Sequence, residues 1–164
     1  MRPAEELRYL ILAIQREGNR KLSSELRPLG LTPSQAEVLR VLADHQPLTL
    51  AGLGDLLVCE TGGSPSRLVD RLVAMELIDK QTGSTDRRQI TLGLTPAGRH
   101  LAAEVARVEE RLYGAIDTAT AGQSVDATLQ LLRGFAADFP AVRAVERRAA
   151  LRERHGGRLV GDGR

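Results

Sequence analysis

The sequence predicts a mainly α-helical fold that carries one small β-hairpin, and three observations support this. Apolar residues recur three and four positions apart over most of the chain, a spacing typical of amphipathic helices. Aromatic residues account for only 2% of the sequence and Trp is absent. The core must therefore be built from Leu, Val, Ile and Ala, which favours helix packing. One pair of short strand-like runs, separated by the turn signal GSTD, predicts the hairpin.

The composition predicts a folded, cytoplasmic protein. Hydrophobic residues make up 42% of the 164 positions, enough to build a core. The single cysteine, Cys59, cannot form an internal disulfide, which fits a reducing compartment. The N-terminus lacks the pattern of a signal peptide, and no stretch approaches the roughly 18 apolar residues of a membrane span. The formal charge of +2 does not argue against nucleic-acid binding, because the local patch binds rather than the sum.

Four helices are predicted before the hairpin, over residues 4–26, 33–43, 49–57 and 64–75. The last three begin after a hydroxyl side chain suited to capping a helix N-terminus: Thr32, Thr49 and Ser64. The third and fourth helices are short and joined by the glycine-containing turn CETGG, and the fourth carries an exposed Ser/Arg face. This arrangement predicts a helix-turn-helix, and the basic hairpin after it predicts a wing.

The hairpin strands are predicted over residues 78–82 and 89–94, and two helices follow, over 96–119 and 125–138. The second of these helices ends before Pro140. The apolar stripes of these helices and of the first helix are longer than a small winged lobe can cover, so they predict self-association.

The chain therefore divides into four parts. They are an N-terminal dimerisation helix (1–30), a winged helix-turn-helix DNA-binding lobe (31–95), C-terminal dimerisation helices (96–139) and an arginine-rich, partly disordered tail (140–164). The tail carries seven arginines, and two interpretations stay open. It is either a nonspecific phosphate-binding arm or a helix end whose charges pair with Glu146 and Glu153.

Three motifs in this order resemble the MarR family of bacterial regulators: RLVDRL in the fourth helix, DRR in the wing and LTPAGR at the start of the long helix. The segment LGLTPSQAEVLRVL resembles the second helix of that family. The resemblance covers about residues 5–139, so the tail lies beyond the usual family length, and Glu76 stands where many members have glycine. It implies a homodimer that interlocks its first and last two helices and presents one winged lobe to each half of a palindromic operator.

The resemblance also implies a repressor whose DNA affinity is modulated by a small lipophilic or phenolic effector, bound between the dimerisation helices and the DNA-binding lobe. A ligand that favours a different lobe spacing shifts the population away from the state that binds DNA. Two alternatives stay open: a protein-interaction module without specific DNA binding, and a thiol-based redox regulator acting through Cys59. In the simplest interpretation Cys59 is a small buried apolar residue.

On the fourth helix, Arg67 and Arg71 lie one turn apart and point the same way, so each can take guanine O6 and N7 or a phosphate. Ser64 and Ser66 at the helix N-terminus can bind phosphate, and Lys80 is a further phosphate candidate. The alternative is a solvated face on which both arginines pair with Asp70.

The wing tip carries Asp86, Arg87 and Arg88. A narrow hairpin tip can enter the minor groove, whose negative potential attracts arginine. By resemblance, Asp86 and Arg88 form a salt bridge that shapes the wing and leaves Arg87 to enter the groove. Otherwise the charges only keep the hairpin soluble.

The sequence carries no signature of an enzyme, a cofactor or a metal site. The three histidines are isolated, and neither an HxxH nor a CxxC spacing occurs. No glycine-rich phosphate loop follows a strand. The predicted function is therefore a DNA-binding transcriptional regulator whose partners are double-stranded DNA, a second copy of the chain and a small effector, with no membrane partner.

Overall fold

The computed structural model describes residues 1–58, 64–82 and 90–158. This part of the chain holds seven α-helices and a three-stranded antiparallel sheet. The helices are α1 (Pro3–Leu26), α2 (Pro33–His45), α3 (Leu50–Gly54), α4 (Pro65–Ala74), α5 (Pro96–Ala119), α6 (Val125–Ala136) and α7 (Pro140–Arg158). The strands are β1 (Leu48–Thr49), β2 (Ile78–Thr82) and β3 (Ile90–Leu94). The mainly helical fold with a hairpin is thus confirmed.

The sheet has the strand order β1-β3-β2. The predicted hairpin is present as β2 and β3, paired from Ile78 opposite Leu94 to Thr82 opposite Ile90. The short strand β1, where Leu48 pairs with Leu92, was not predicted, because two residues are too few to form an alternating pattern. Through β1 the sheet is tied to the start of α3.

Local capping explains why several helices begin where the sequence predicts. Thr32 Oγ1 accepts from the Gln35 amide at 3.3 Å, and Gln35 Oε1 accepts from the Thr32 amide at 2.9 Å, which makes a reciprocal capping box. Thr49 caps α3 by accepting from the Gly52 amide at 3.0 Å. Ser64 precedes α4, but its side chain forms no capping hydrogen bond.

Helix ends agree less well with the sequence. Helix α3 stops at Gly54 rather than near residue 57, since two glycines in five residues weaken it. Pro140 begins α7 instead of only ending α6, and α7 continues to Arg158, so most of the predicted tail is helical. Residues 159–164 lie outside the described part of the chain.

The core of the winged lobe lies around α2. Its largest fully buried side chains come from the end of α1 and from α2, α3, α4 and β2: Leu26, Leu39, Leu42, Leu53, Leu72 and Ile78. Helices α1, α5 and α6 instead leave large apolar side chains exposed away from this core. Within the described residues, no helix combines the length and the apolarity of a membrane span.

The LTPAGR motif fixes the start of α5 to the turn that follows α4. Thr95 Oγ1 accepts from the Gly98 amide at 2.9 Å and donates to the Glu76 carbonyl at 2.8 Å. The Thr95 amide donates to the Leu77 carbonyl at 3.1 Å, and Arg99 donates to the Leu94 carbonyl at 2.7 Å. These contacts make the motif a structural joint between the lobe and the long helix.

Glu76 lies in this joint with φ = 57°, the left-handed region that glycine adopts without cost. We expect Glu76→Gly to raise the free energy of unfolding by about 0.5–1 kcal/mol, because it relieves the steric cost of Cβ there. Chemical denaturation measures the change. Glu76→Ala is the matched control, since it removes the carboxylate but keeps Cβ, and equal stabilisation by both variants would contradict this explanation.

Candidate nucleic-acid interface

Helix α4 separates an apolar face from a polar one. Leu68, Val69 and Leu72 are buried in the lobe core, so the helix cannot rotate without exposing them. Arg67 and Arg71, one turn apart, are consequently held on the exposed face. The recognition helix predicted from the sequence is therefore present as a helix with an outward arginine pair.

The two guanidinium groups are available for a ligand. Among the residues that the structure describes, neither the Arg67 nor the Arg71 side chain forms a hydrogen bond or an ion pair. The alternative in which both pair with Asp70 is wrong, because Asp70 Oδ1 accepts from Lys80 Nζ at 2.8 Å instead. Each arginine can therefore use its planar fork on an external acceptor.

Lys80 connects the recognition helix to strand β2 of the wing. Its partner Asp70 is 62% exposed and Lys80 itself 45%. An exposed pair of this kind contributes little to stability, so Lys80 can exchange the carboxylate for a phosphate at small cost. Its phosphate contact stays a prediction.

The two serines lie at the N-terminus of α4. Ser64 Oγ and Ser66 Oγ are 2.7 Å apart and share one hydrogen bond. Because the Ser64 side chain does not cap the helix, both hydroxyls stay at the positive end of the helix dipole. The arrangement suits a phosphate oxygen, as predicted for Ser66 in particular.

The remaining predicted residues lie outside the described part of the chain. Asp86, Arg87 and Arg88 follow the end of β2, and Cys59 lies between α3 and α4. The pairing of β2 with β3 fixes the base of the wing beside α4. The roles of the wing tip and of the thiol stay predictions.

Sequence reasoning missed an ion pair between α2 and α7. Glu37 of α2 is only 7% exposed, and Arg148 of α7 donates to it. The two are 111 positions apart, so no local pattern could pair them. The only signal was a carboxylate within the otherwise apolar run AEVLRVL. In the described residues, no group of three or more His, Cys, Asp or Glu side chains could hold a metal ion.

Comparison with known proteins identifies relatives of one kind. A family model described as "MarR family" matches residues 29–89. The HTH-type transcriptional regulator MgrA of Staphylococcus aureus is 26% identical over 112 residues, covering 68% of this chain and 76% of that protein.

Two solved structures have the same fold. The S. aureus MepR–DNA complex superposes with a TM-score of 0.66 at 24% identity, covering 79% of this chain and 93% of that one. Bordetella bronchiseptica BpsR, described in terms of regulation of its DNA binding by 6-hydroxynicotinic acid, gives 0.66 at 22% identity over 83% of this chain and 96% of that one.

Proposed function

Because the chain belongs to the MarR family of winged helix-turn-helix transcriptional regulators, we propose that it is a repressor that binds a palindromic operator as a homodimer. The observation that carries the proposal is the exposed Arg67 and Arg71 on α4, beside the base of the wing, whose side chains have no partner among the described residues. Arg67 and Arg71 bind guanine edges in the major groove or phosphates of the DNA backbone. The serines at the start of α4 contact the DNA backbone. Arg87 enters the adjacent minor groove, and Lys80 binds phosphate.

The exposed apolar side chains of the first and last helices support the homodimer. On α1 they are Tyr9, Leu10, Leu12 and Ile14, and on α5 and α6 they include Ile116, Leu131 and Phe135. Large apolar side chains exposed along three helices favour burial against a partner. A twofold dimer places two α4 helices on successive major grooves, which requires a palindromic site.

We expect Phe135→Asp to dissociate the dimer. Phe135 is 63% exposed and stacks edge-to-face on Phe139 with ring centroids 6.1 Å apart, so a carboxylate there would bury a charge between the protomers. Sedimentation analysis at micromolar concentration should give the mass of one chain. Ile90→Asp, at an exposed apolar position on the wing, is the control and should keep the mass of two chains. A Phe135→Asp protein that stays dimeric would contradict this assignment.

Effector regulation is supported by a cleft between α1 and α5 of about 380 Å³, within the range of small-molecule sites. Leu29 and Val108 provide apolar lining, and Arg107 and Arg111 lie beside it. Arg111 pairs with Glu25 at 2.9 Å across the two helices. A small aromatic acid could replace that carboxylate, and the BpsR structure is described in terms of regulation of DNA binding by one carboxylic acid, 6-hydroxynicotinic acid.

Selection of bound sequences from random DNA, repeated with a panel of phenolic and carboxylic compounds, tests the proposed function. We expect a palindrome to be enriched, binding to weaken steeply with salt, and at least one compound to lower affinity. Failure to enrich any sequence would favour the alternative of a protein-interaction module.

A further inference from the structure

Helix α7 lies against the DNA-binding lobe of its own chain. Its inward face consists of Ala144, Arg148 and Leu151, spaced four and three positions apart. Ala144 is 3% exposed, and Leu151 packs against the lobe core. The arginine between them is therefore held against α2 and the segment that leads from α3 towards α4.

Arg148 fixes that segment through two routes. Its Nε donates to the Leu56 carbonyl at 2.6 Å, and its Nη2 donates to Glu37. The same Glu37 oxygen accepts from the Val58 amide at 2.8 Å. One guanidinium thus holds the backbone on both sides of Leu57, directly and through a buried carboxylate.

Neighbouring arginines extend the attachment along α7. Arg147 bonds to the carboxylate and to the carbonyl of Asp55, each at 3.2 Å. Arg152 reaches Asp44 of α2 at 3.3 Å. Arg147, Arg148 and Arg152 therefore pair with the lobe. Glu146 and Glu153 were the partners in one of the two interpretations of the tail.

We propose that Arg148 is a positioning residue for DNA binding, and that α7 is a clamp that orients α4 by holding residues 55–58. The proposal rests on the proposed DNA-binding function. A carboxylate as buried as Glu37 requires a charged partner. Without Arg148, the buried Glu37 carboxylate loses its charged partner, its bond to the Val58 amide weakens, and residues 55–58, which precede α4 in the chain, are held less firmly. Only the fraction of molecules with α4 correctly oriented then binds.

The salt dependence of DNA binding distinguishes this positioning role from direct phosphate contact by an arginine-rich arm. An arginine that contacts phosphate contributes about 0.9 to the slope of log affinity against log salt concentration. A positioning residue touches no phosphate, so its removal lowers affinity at every salt concentration and leaves the slope unchanged.

The test is an anisotropy titration of the full-length protein on its selected operator at several salt concentrations. We expect Arg148→Gln to weaken binding roughly tenfold, as when the competent fraction falls to about one tenth, with the wild-type slope. Arg143→Gln removes the same charge from an exposed position of the same helix and should change nothing. A reduced slope in both variants would overturn the proposal in favour of an arm, and unchanged affinity of Arg148→Gln would overturn it outright.

A double-mutant cycle with Glu37→Gln gives a second readout. If Arg148 acts through Glu37, the two effects on affinity should be less than additive, whereas additive effects would overturn the proposal. If the Arg148→Gln protein does not fold, the Arg148→Lys variant tests the proposal instead. Lysine keeps the charge near Glu37 but cannot also reach the Leu56 carbonyl, so we expect a few-fold loss of affinity, and wild-type affinity would overturn the proposal. Failure of the wild-type protein to bind any DNA would instead refute the proposed function.

Discussion

Gly98→Ala is expected to lower the free energy of unfolding by about 3 kcal/mol or more. A Cβ at this position would lie 2.0 Å from the Leu77 carbonyl oxygen and 3.0 Å from the Leu77 carbonyl carbon. That oxygen cannot move aside cheaply, because it accepts from the Thr95 amide at 3.1 Å. The helix cannot retreat either, since the Gly98 amide is bonded to Thr95 Oγ1.

Chemical denaturation at a fixed protein concentration measures this effect, and Gly114→Ala is the matched control. Gly114 lies in the same helix with no atom within 4 Å of its would-be Cβ, so alanine there should stabilise by about 0.5–1 kcal/mol. If alanine destabilises the protein at Gly98 but stabilises it at Gly114 of the same helix, the loss of stability at Gly98 is caused by the contact with Leu77. A Gly98→Ala protein as stable as the wild type would show that the joint accommodates a Cβ at position 98, and would contradict this prediction.

The same joint illustrates how much of the fold the sequence could predict. Capping residues and first-turn prolines act within four residues, so the starts of α2 and α5 follow from local pattern. The motif LTPAGR was recognised, yet the need for glycine at position 98 depends on a carbonyl 21 positions earlier in the chain. Likewise β1 exists only because β3 pairs with it, and the length of α7 depends on its packing against the lobe.

The candidate site also has features that local sequence pattern predicts and features that depend on tertiary packing. Helical periodicity alone places Arg67 and Arg71 one turn apart and outside the stripe of buried residues of α4, so the exposed arginine pair could be predicted. The partner of Asp70 could not, since Lys80 reaches it only after the wing folds back onto α4. The bond between Glu37 and Arg148 joins residues still further apart in the sequence, separated by 111 positions. Sequence pattern therefore predicts which side chains face outward, whereas tertiary packing decides how the helix that carries them is held.

Replacing both recognition-helix arginines, Arg67→Ala with Arg71→Ala, is expected to weaken operator binding on the order of 100-fold or more while leaving the dimer and its stability intact. Each good arginine contact to a base discriminates by about 1–3 kcal/mol, and in the proposed dimer the contacts are lost in both half-sites. Both side chains are exposed without partners among the described residues, so their removal costs the fold little. Anisotropy titrations over a range of salt concentrations measure the loss.

The salt dependence and the sequence preference of these variants identify the contact that each arginine makes. A base contact, once lost, relaxes specificity at one position and keeps the salt slope, whereas a phosphate contact weakens all sequences alike and lowers the slope by about 0.9. Asp70→Ala is the control on the same exposed face. Because it removes a negative charge near the DNA and releases Lys80, binding should be unchanged or tighter. Equal weakening by Asp70→Ala would attribute the arginine effects to damage to α4, and the arginine pair would then lose its assigned role.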